Sequence, residues 1–237
     1  MSWSVAIVGL GKIGMLYDLH LPAATHALTH ARAFSSHPDF RLVAAVDPAP
    51  TLRSDFKRAF EVTAYASIAD IPADIKIDVV VVASPTETHA GIVDSFLTRQ
   101  SLRAIVCEKP LAYGIDVARA MEERCRLADV PLYVNFIRRA DPGVLEVKSR
   151  IESGQIAMPF KAVAWYSKGL LHNGAHFADL LSFWFGLILD LKLVAPGRRV
   201  GNQDAEPDLR LEFAQGSALL CAAREEDYSH YTVEIVA

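Results

Sequence analysis

The first residues able to do chemistry form a glycine-rich turn near the amino terminus. Gly9-Leu10-Gly11-Lys12-Ile13-Gly14 follows directly on the β-branched run Val5–Val8. The first glycine permits a tight turn, the second lets the backbone approach a pyrophosphate, and the third brings helix and strand together. The helix that begins there offers its N–H groups to phosphates. This order of strand, turn and helix predicts a dinucleotide site formed by Gly9, Gly11, Lys12, Ile13 and Gly14.

An acidic residue follows the second predicted strand, Leu42–Val46. A carboxylate at Asp47 can bind both ribose hydroxyls of a dinucleotide and would repel a 2′-phosphate, so it favours NAD over NADP. Asp47 lies 33 residues after Gly14, whereas roughly 20 residues are usual. The segment Leu16–Thr25 accounts for the excess.

The segment Leu16–Thr25 is an insertion behind the glycine turn. Pro22 is expected to break the first helix, which then restarts near Thr25. The insertion can cover the pyrophosphate, reach the substrate or serve only as a loop. We favour the loop interpretation for Tyr17, Asp18 and His20.

These residues need a parallel sheet to position them. Two runs, Asp78–Ala83 and Ala104–Cys107, are apolar without alternation, as is typical of strands buried on both faces. The other predicted strands of this half are Ser4–Val8, Leu42–Val46 and Leu132–Phe136, and the helices are Ala27–His37, Thr51–Phe60, Thr86–Thr98 and Ala112–Ala128. The alternation predicts an α/β fold with an N-terminal Rossmann dinucleotide-binding domain.

The pattern changes near Phe136. A helix is predicted over Asp141–Ser153, with Asp141 as N-cap, Pro142 in the first turn and Gly154 as the stop. Further elements are the strands Phe160–Tyr166, Leu209–Phe213, Ala218–Ala222 and Tyr231–Val236 and an apolar helix around Gly174–Phe185. We expect an α+β domain with a mostly antiparallel open sheet. The NAD-binding domain is placed at residues 1–136 and the substrate and oligomerisation domain at 137–237.

Composition excludes several classes of protein. The 237 residues carry 24 Lys and Arg against 28 Asp and Glu, and a net charge of −4 argues against a nucleic-acid partner. The three cysteines lack the spacing of a zinc site or a disulfide framework. The amino terminus is typical of a strand rather than a signal peptide, and Leu180–Ala195 is too short and too charged to span a bilayer. A cytoplasmic protein without a membrane partner is expected.

Two motifs at predicted strand ends resemble those of the Gfo/Idh/MocA oxidoreductase family. They are Ala83-Ser84-Pro85-Thr86-Glu87-Thr88-His89 and Cys107-Glu108-Lys109-Pro110-Leu111, and the resemblance runs from residue 4 to about 236. It implies a cofactor-binding role for Ser84, Pro85, His89 and Glu108. It also places Lys109 beside the nicotinamide and the reacting oxygen, where an ammonium can stabilise developing alkoxide charge.

A second family motif, Asp-x-Gly-x-His-x-x-Asp, is matched at Gly174, His176 and Asp179, with His172 in place of the first aspartate. The resemblance implies that His176 is the proton acceptor, since histidine titrates in the right range for general-base work. Asp179 can orient the ring of His176, or else cap or anchor the helix. His172 either contacts the substrate or marks a weakened acid–base chemistry. Two histidines four residues apart also suit a metal, but no third ligand is evident and no metal is expected.

Polar residues around this motif complete the predicted substrate site. Arginine can fork onto a carboxylate, a phosphate or sugar hydroxyls, although salt bridging between domains is the alternative for Arg138. The run from Tyr166 to Gly186 is most similar to family members of surface-polysaccharide and sugar metabolism, which implies a sugar-like substrate. The residues expected to bind it are Arg138, Lys168, Asn173 and Asp179.

The chain is shorter than members of this family and stops within an apolar strand pattern. A truncated gene, a short form completed by a partner subunit and a decayed paralogue all fit. Family members commonly associate through the open sheet, so a homo-oligomer is expected. The leading hypothesis is an NAD-dependent oxidoreductase acting on a secondary alcohol or ketone of a sugar, nucleotide-sugar or polyol. The alternative is a non-catalytic NAD-binding regulatory or assembly subunit; a methyltransferase would leave the second and third motifs unexplained.

Overall fold

A computed structural model describes residues 2–228 and 230–237. The chain divides into two compact units, Met1–Asn135 and Phe136–Ala237. Each unit has its own sheet and its own apolar core. Among the described residues, no helix is long and apolar enough to cross a membrane.

The first unit is a parallel six-stranded sheet with helices on both faces. Its strands are β1 (Trp3–Val8), β2 (Phe40–Val46), β3 (Ala64–Tyr65), β4 (Val79–Val82), β5 (Ala104–Cys107) and β6 (Leu132–Val134), and its α-helices are α1 (His30–Ser36), α2 (Pro50–Phe60), α3 (His89–Leu97) and α4 (Ile115–Leu127). The strand order β3-β2-β1-β4-β5-β6, with every neighbouring pair parallel, is that of a Rossmann fold. The predicted fold of the first half is therefore confirmed.

Strand β4 shows why this sheet forms. All four of its valines are buried, and alternate residues point to opposite faces. Val80 and Val82 belong to the core that includes Phe96 of α3, whereas Val79 and Val81 belong to the core that includes Phe56 of α2. The order of strands reverses between β1 and β4, and ligands of open α/β sheets bind at the carboxyl ends of strands beside such a reversal.

The second unit is a mostly antiparallel five-stranded sheet with helices. Its strands are β7 (Phe160–Tyr166), β8 (Asp190–Ala195), β11 (Asp208–Phe213), β12 (Gly216–Ala222) and β13 (Val233–Val236), in the order β13-β7-β12-β11-β8. The pair β7 and β12 is parallel and the other three pairs are antiparallel. A separate hairpin consists of β9 (Arg199–Val200) and β10 (Asp204–Ala205), and the helices are α5 (Pro142–Glu152) and α6 (Ala175–Phe185).

Asp141 caps α5 as predicted, since its carboxylate accepts hydrogen bonds from the backbone N–H groups of Gly143 and Val144. The apolar stretch Leu180–Ala195 contains the end of α6, in agreement with the helix predicted around Gly174–Phe185, and all of the edge strand β8, which was not predicted. Gly186, with φ of +89°, separates the two elements.

The insertion behind the glycine turn also differs from expectation. The second helix of this region, α1, begins at His30 rather than near Thr25. Asp18 is fully buried, and its carboxylate accepts hydrogen bonds from the backbone N–H groups of Leu28 and Thr29 and from the Thr29 hydroxyl. Asp18 therefore fixes the residues just before α1 in an extended form, which delays the helix, and it is an anchor rather than a plain loop residue.

Candidate functional site

The three glycines of the turn after β1 differ in how closely other atoms approach the position of a Cβ. Gly9 has φ of +96°, and a Cβ there would lie 2.6 Å from the carbonyl of Ala83. A Cβ at Gly14 would lie 2.1 Å from the carbonyl oxygen of Gly9. At Gly11, no heavy atom of the other described residues lies within 4 Å of the Cβ position, apart from those of its two chain neighbours. The first and third glycines thus close the turn, and the second opens onto space that a dinucleotide can fill.

Asp47 stands at the carboxyl end of β2 and is turned toward this glycine loop. Its Oδ2 accepts a hydrogen bond from Leu10 N at 2.8 Å, and its Oδ1 accepts one from Ala49 N at 2.8 Å. The residue is buried. A carboxylate offers about four lone-pair positions, so two remain for the two hydroxyls of a ribose. The predicted NAD site therefore fits the residues present. Of the other predicted residues in the turn, Lys12 is exposed and Ile13 is half-buried.

The loop after β4 is held by a buried histidine. The ring of His89 places Nε2 3.0 Å from the carbonyl oxygen of Ser84 and Nδ1 3.1 Å from that of Leu111. The side chain of Ser84 pairs with Thr88, and Pro85 is exposed. His89 is 1% exposed, so its ring fastens the two loops that follow β4 and β5. The cofactor-binding role expected for His89 stays a prediction, and the ring is placed to position the loop after β4.

Glu108, at the end of β5, is the centre of a buried hydrogen-bond network. His30 Nε2 lies 2.8 Å from its Oε1, and Asn135 Nδ2 donates to the same oxygen at 2.7 Å. The backbone N–H of Lys109 donates to Oε2 at 3.3 Å. Burial alone would raise the pKa of Glu108, but the hydrogen bonds from His30 and Asn135 outweigh it and lower the pKa. Both oxygens are thus held within the unit.

This network assigns different roles to two neighbouring residues. Glu108 accepts a hydrogen bond from the backbone N–H of Lys109 and so helps to position the residue that follows it, and its expected contact with the cofactor stays a prediction. Lys109 is half-buried at the carboxyl end of β5, which pairs with β4, one of the two strands between which the order reverses. The lysine therefore stands on a fixed backbone, which is what an ammonium needs if it is to act at one defined position.

In the second unit, His176 lies in the first turn of α6 and is 6% exposed. Its ring meets the edge of Phe136 at a centroid distance of 5.8 Å. Arg138 lies on the turn Ile137–Ala140, with its guanidinium carbon 4.9 Å from the centre of the Phe177 ring. Burial lowers the pKa of Arg138. Its half-buried cation and the buried imidazole of His176 are polar groups that a substrate with hydroxyl or anionic groups can use.

Asp179 forms a bidentate ion pair with Arg139. Arginine Nε lies 2.8 Å from Oδ2, and Nη2 lies 2.5 Å from Oδ1. The pair fastens the turn Ile137–Ala140 to α6. This pairing favours the anchoring of the helix, one of the alternatives above, and the substrate-binding role expected for Asp179 stays a prediction.

Lys168 is also paired within its own unit. Its ammonium lies 2.7 Å from Glu225 Oε1, and the other oxygen of Glu225 accepts hydrogen bonds from Ser167 and Tyr231 at 2.7 Å each. The hydrogen bonds from Lys168, Tyr231 and Ser167 lower the pKa of Glu225 to about 2. Lys168 thus neutralises the charge of Glu225, and its expected substrate-binding role stays a prediction. Asn173 is half-buried in the turn Leu170–Gly174.

His172, in the same turn, contacts a residue that the sequence did not point to. Its Nδ1 lies 2.9 Å from Oδ2 of Asp204 on the hairpin β9–β10. Among the described residues, no group of three or more His, Cys, Asp and Glu side chains is arranged to hold a metal ion.

The match to a known family follows from this architecture. The model of the Gfo/Idh/MocA oxidoreductase family, NAD-binding Rossmann fold, matches residues 3–136. This chain belongs to that family. NAD is accordingly the cofactor of the first unit, in agreement with the room at Gly11 and the acceptor at Asp47.

Several curated relatives of this family member are named inositol dehydrogenases. An inositol 2-dehydrogenase of Rhizobium meliloti (strain 1021) is 31% identical over 156 residues, which are 66% of this chain and 42% of the relative. A scyllo-inositol 2-dehydrogenase (NAD(+)) of Bacillus subtilis (strain 168) is 26% identical over 190 residues, 79% of this chain and 50% of the relative. The chain spans about half the length of these relatives or less.

A solved structure shows the same fold along nearly the whole family member. It is an oxidoreductase from Agrobacterium radiobacter in complex with NAD+, L-tartaric acid and magnesium, with a TM-score of 0.80 and 20% identity. The likeness covers 99% of this chain and 71% of that one. It supports the α/β unit followed by a mostly antiparallel sheet.

Sequence reasoning missed three residues that organise the site. His30 contacts Glu108 across 78 positions of the chain, and Asp204 contacts His172 across 32. Glu225 neutralises Lys168. No local sequence pattern indicates any of these three residues. The one available signal is that a buried carboxylate such as Glu108 requires a polar partner.

Proposed function

We propose that this chain is an NAD-dependent oxidoreductase that transfers hydride between nicotinamide and a secondary alcohol or ketone of a polyol, sugar or nucleotide-sugar. The observation that carries the proposal is Lys109, anchored through Glu108 at the carboxyl end of β5 in an NAD-binding fold. When bound, NAD+ accepts the hydride that leaves the carbinol carbon. The residues of the chain have to hold the reactants and manage the proton.

The proposed roles divide between the two units. In the first, the turn Gly9–Gly14 and Asp47 hold the dinucleotide, and the ammonium of Lys109 polarises the reacting oxygen and stabilises alkoxide charge. In the second, His176 takes the hydroxyl proton as general base. General-base catalysis of this kind increases a reaction rate by about 10²–10⁴-fold, so the share of the rate that the proposal assigns to His176 is large enough to measure.

The proposed substrate class rests on the relatives and on the chemistry of the second unit. Two curated relatives are named for the oxidation of inositols. Arg138 offers a half-buried cation, and a cyclic polyol or a sugar presents several hydroxyls that such a donor can orient. Lys168 and Asp179 are left out of the substrate site because each has an ionic partner of its own.

The proposal is tested by titrating the purified chain with NADH and NADPH and then following NAD+ reduction with panels of inositols, free sugars and nucleotide-sugars. We expect tighter binding of NADH and reduction of NAD+ by one of these classes. Binding of NADH without reduction across all panels would favour the second candidate. Failure to bind either dinucleotide would contradict both.

The second candidate is a non-catalytic NAD-binding subunit with a regulatory or assembly role. It is favoured by the internal pairing of Lys168 with Glu225 and of Asp179 with Arg139, which leaves fewer charged groups for a substrate. It is also favoured by His172, which replaces the first aspartate of the family motif. Substrate-dependent reduction of NAD+ by the unmodified chain excludes this candidate.

Cofactor preference is expected to depend on Asp47. Asp47→Asn removes the charge and keeps an acceptor for Leu10 N–H, while Arg53, whose Nη1 donates to the carbonyl oxygens of Asp47 and Pro48, provides positive charge for a 2′-phosphate. We expect the ratio of NADPH to NADH dissociation constants to fall by about tenfold or more, equivalent to ~1.4 kcal/mol.

Fluorescence titrations with both dinucleotides measure that ratio. Asp39→Asn is the matched control, because Asp39 is an exposed carboxylate just before the opposite end of β2, and it should leave the ratio unchanged. An unchanged ratio in Asp47→Asn would show that Asp47 does not select the cofactor.

We further propose that the chain forms a homo-oligomer through the sheet of the second unit. Edge strand β8 exposes Leu191 and Leu193 by 55% and 62%, although both pair in register with buried leucines of β11. An exposed apolar edge strand favours association. Sedimentation velocity is expected to show a dimer or larger species that Leu193→Lys dissociates, whereas Leu127→Lys, at an exposed site on α4, has no effect. A wild-type chain that stays monomeric contradicts this proposal.

A further inference from the structure

The contact between His172 and Asp204 joins an accessible imidazole to a buried carboxylate. Nδ1 of His172 lies 2.9 Å from Oδ2 of Asp204. The side chain of His172 is 45% exposed, whereas that of Asp204 is 3% exposed. A carboxylate this deeply buried is stable only where hydrogen bonds replace its lost hydration.

The backbone around Asp204 provides those hydrogen bonds. Leu171 N lies 3.0 Å and 3.1 Å from the two carboxylate oxygens, His172 N lies 3.2 Å from Oδ2, and Ala205 N lies 2.8 Å from Oδ1. Burial alone would raise the pKa of Asp204, but these N–H groups and the ring of His172 outweigh it and lower the pKa. Asp204 is therefore an ionised acceptor.

The turn that carries His172 is shaped around this carboxylate. Gly169 has φ of +90°, and a Cβ there would lie 2.1 Å from Asp204 Oδ2. Glu206, two residues further on, is also buried, but it accepts from Gly169 N at 3.2 Å and pairs with Arg198 Nε at 2.6 Å. The hairpin β9–β10 and the residue after it thus bring two carboxylates to the turn, and Asp204 is the one that contacts the imidazole ring.

An ionised acceptor at Nδ1 fixes the tautomer of His172. A neutral imidazole carries one proton, so an Nδ1–H bonded to Asp204 puts the acceptor lone pair on Nε2. When Nε2 takes up a proton, the imidazolium already has a carboxylate partner. A carboxylate that orients a histidine in this way supports general-base catalysis in hydrolases.

We propose that Asp204 is a positioning residue that holds His172 as a second proton acceptor, through which the proton taken by His176 reaches solvent. The inference rests on the function proposed above. His172 lies in the π-helical turn Leu170–Gly174, and His176 follows four residues later in the first turn of α6, a spacing that brings both side chains near one face. His176 is buried, whereas the side chain of His172 is 45% exposed. The motif then keeps its acid–base capacity although His172 replaces the first aspartate, because Asp204 on the hairpin β9–β10 provides the carboxylate.

The proton balance of this step is simple. The hydroxyl proton of the substrate moves to His176 and then to Nε2 of His172, and loss of that proton to water returns both rings to the neutral form. Asp204 stays ionised throughout and stabilises the transient imidazolium of His172. The hydride accepted by NAD+ accounts for the second hydrogen that the alcohol loses.

The test reads the tautomer of His172 directly, in the full chain labelled with ¹⁵N-histidine. Long-range ¹H–¹⁵N correlation spectra are recorded at a pH where imidazoles are neutral, and the His172 signals are assigned by their loss in His172→Gln. We expect Nδ1 at the pyrrole-like position and Nε2 at the pyridine-like position, and we expect Asp204→Asn to exchange them. Glu206→Gln removes the neighbouring buried charge and should leave the tautomer unchanged.

An Nε2–H tautomer in the wild-type chain, or an unaltered tautomer in Asp204→Asn, overturns the proposal. If Asp204→Asn does not fold, the wild-type tautomer still decides. Once a substrate is known, Asp204→Asn should lower kcat by about 10²-fold or more with little change in KM; an unchanged kcat also overturns it. The spectra need no substrate, so failure of the proposed function is distinguishable from failure of the His172–Asp204 pair.

Discussion

Lys109→Ala is expected to lower turnover by about 10²–10³-fold while NADH affinity stays within a small factor, because an ammonium that stabilises alkoxide charge acts mainly in the transition state. The backbone of Lys109 is fixed by its N–H bond to Glu108, which His30 and Asn135 hold in turn. Removing the side chain beyond Cβ leaves that network in place. The loss should therefore fall on kcat rather than on folding.

Steady-state kinetics with an active polyol or sugar, together with NADH titration, measure the two quantities separately. Lys109→Arg keeps the charge but changes its geometry and should recover only part of the rate. Lys57→Ala, on the exposed side of α2, is the control for loss of a lysine and should behave as wild type. Full turnover in Lys109→Ala would remove Lys109 from the mechanism and leave the proposed function without its main support.

The parts of the fold that the sequence predicts are those decided by local pattern. The uninterrupted valines of β4 indicate a strand buried on both faces, and each face has its own core. Asp141 followed by Pro142 predicts the start of α5, because an acceptor side chain and a fixed φ are local properties. The glycine turn is recognised in the same way, from its spacing after β1.

The parts that the sequence does not predict depend on contacts between distant residues. Nothing near His30 indicates that it meets Glu108, since the pair depends on how α1 lies beside the end of β5. Asp18 delays the start of α1 by accepting hydrogen bonds from Leu28 and Thr29, and the helix propensities of the local residues do not reflect such contacts. The hairpin β9–β10 has strands of two residues each, too short for a periodic signal, yet it delivers Asp204 to His172.

These distant contacts change how the motif residues are interpreted. By residue type alone, Lys168 and Asp179 are as suitable for a substrate as Arg138 is. Their partners, Glu225 and Arg139, satisfy both charges within the second unit. A charged residue in a family motif therefore indicates substrate binding only after its own ionic partners are known.

Adding one methyl group at each glycine of the turn is expected to separate folding from cofactor binding. In Gly14→Ala the new Cβ would lie 2.1 Å from the Gly9 carbonyl oxygen, and in Gly9→Ala it would lie 2.6 Å from Ala83 in a backbone with φ of +96°. Such overlap costs about 1–3 kcal/mol or more, so both variants should unfold at a lower temperature or fail to fold.

Gly11→Ala is expected to fold as the wild type does but to lose NADH affinity by about tenfold or more, or ~1.4 kcal/mol. Its φ of −69° suits alanine, and within the part of the chain that the structure describes, no atom beyond Gly11 and its two chain neighbours lies within 4 Å of the new Cβ. The methyl group would occupy the space through which the pyrophosphate approaches the backbone. Thermal unfolding with and without NADH measures both effects on the same three variants. Because the added group is identical in all three, wild-type NADH affinity in Gly11→Ala would mean that the dinucleotide does not pass over this turn.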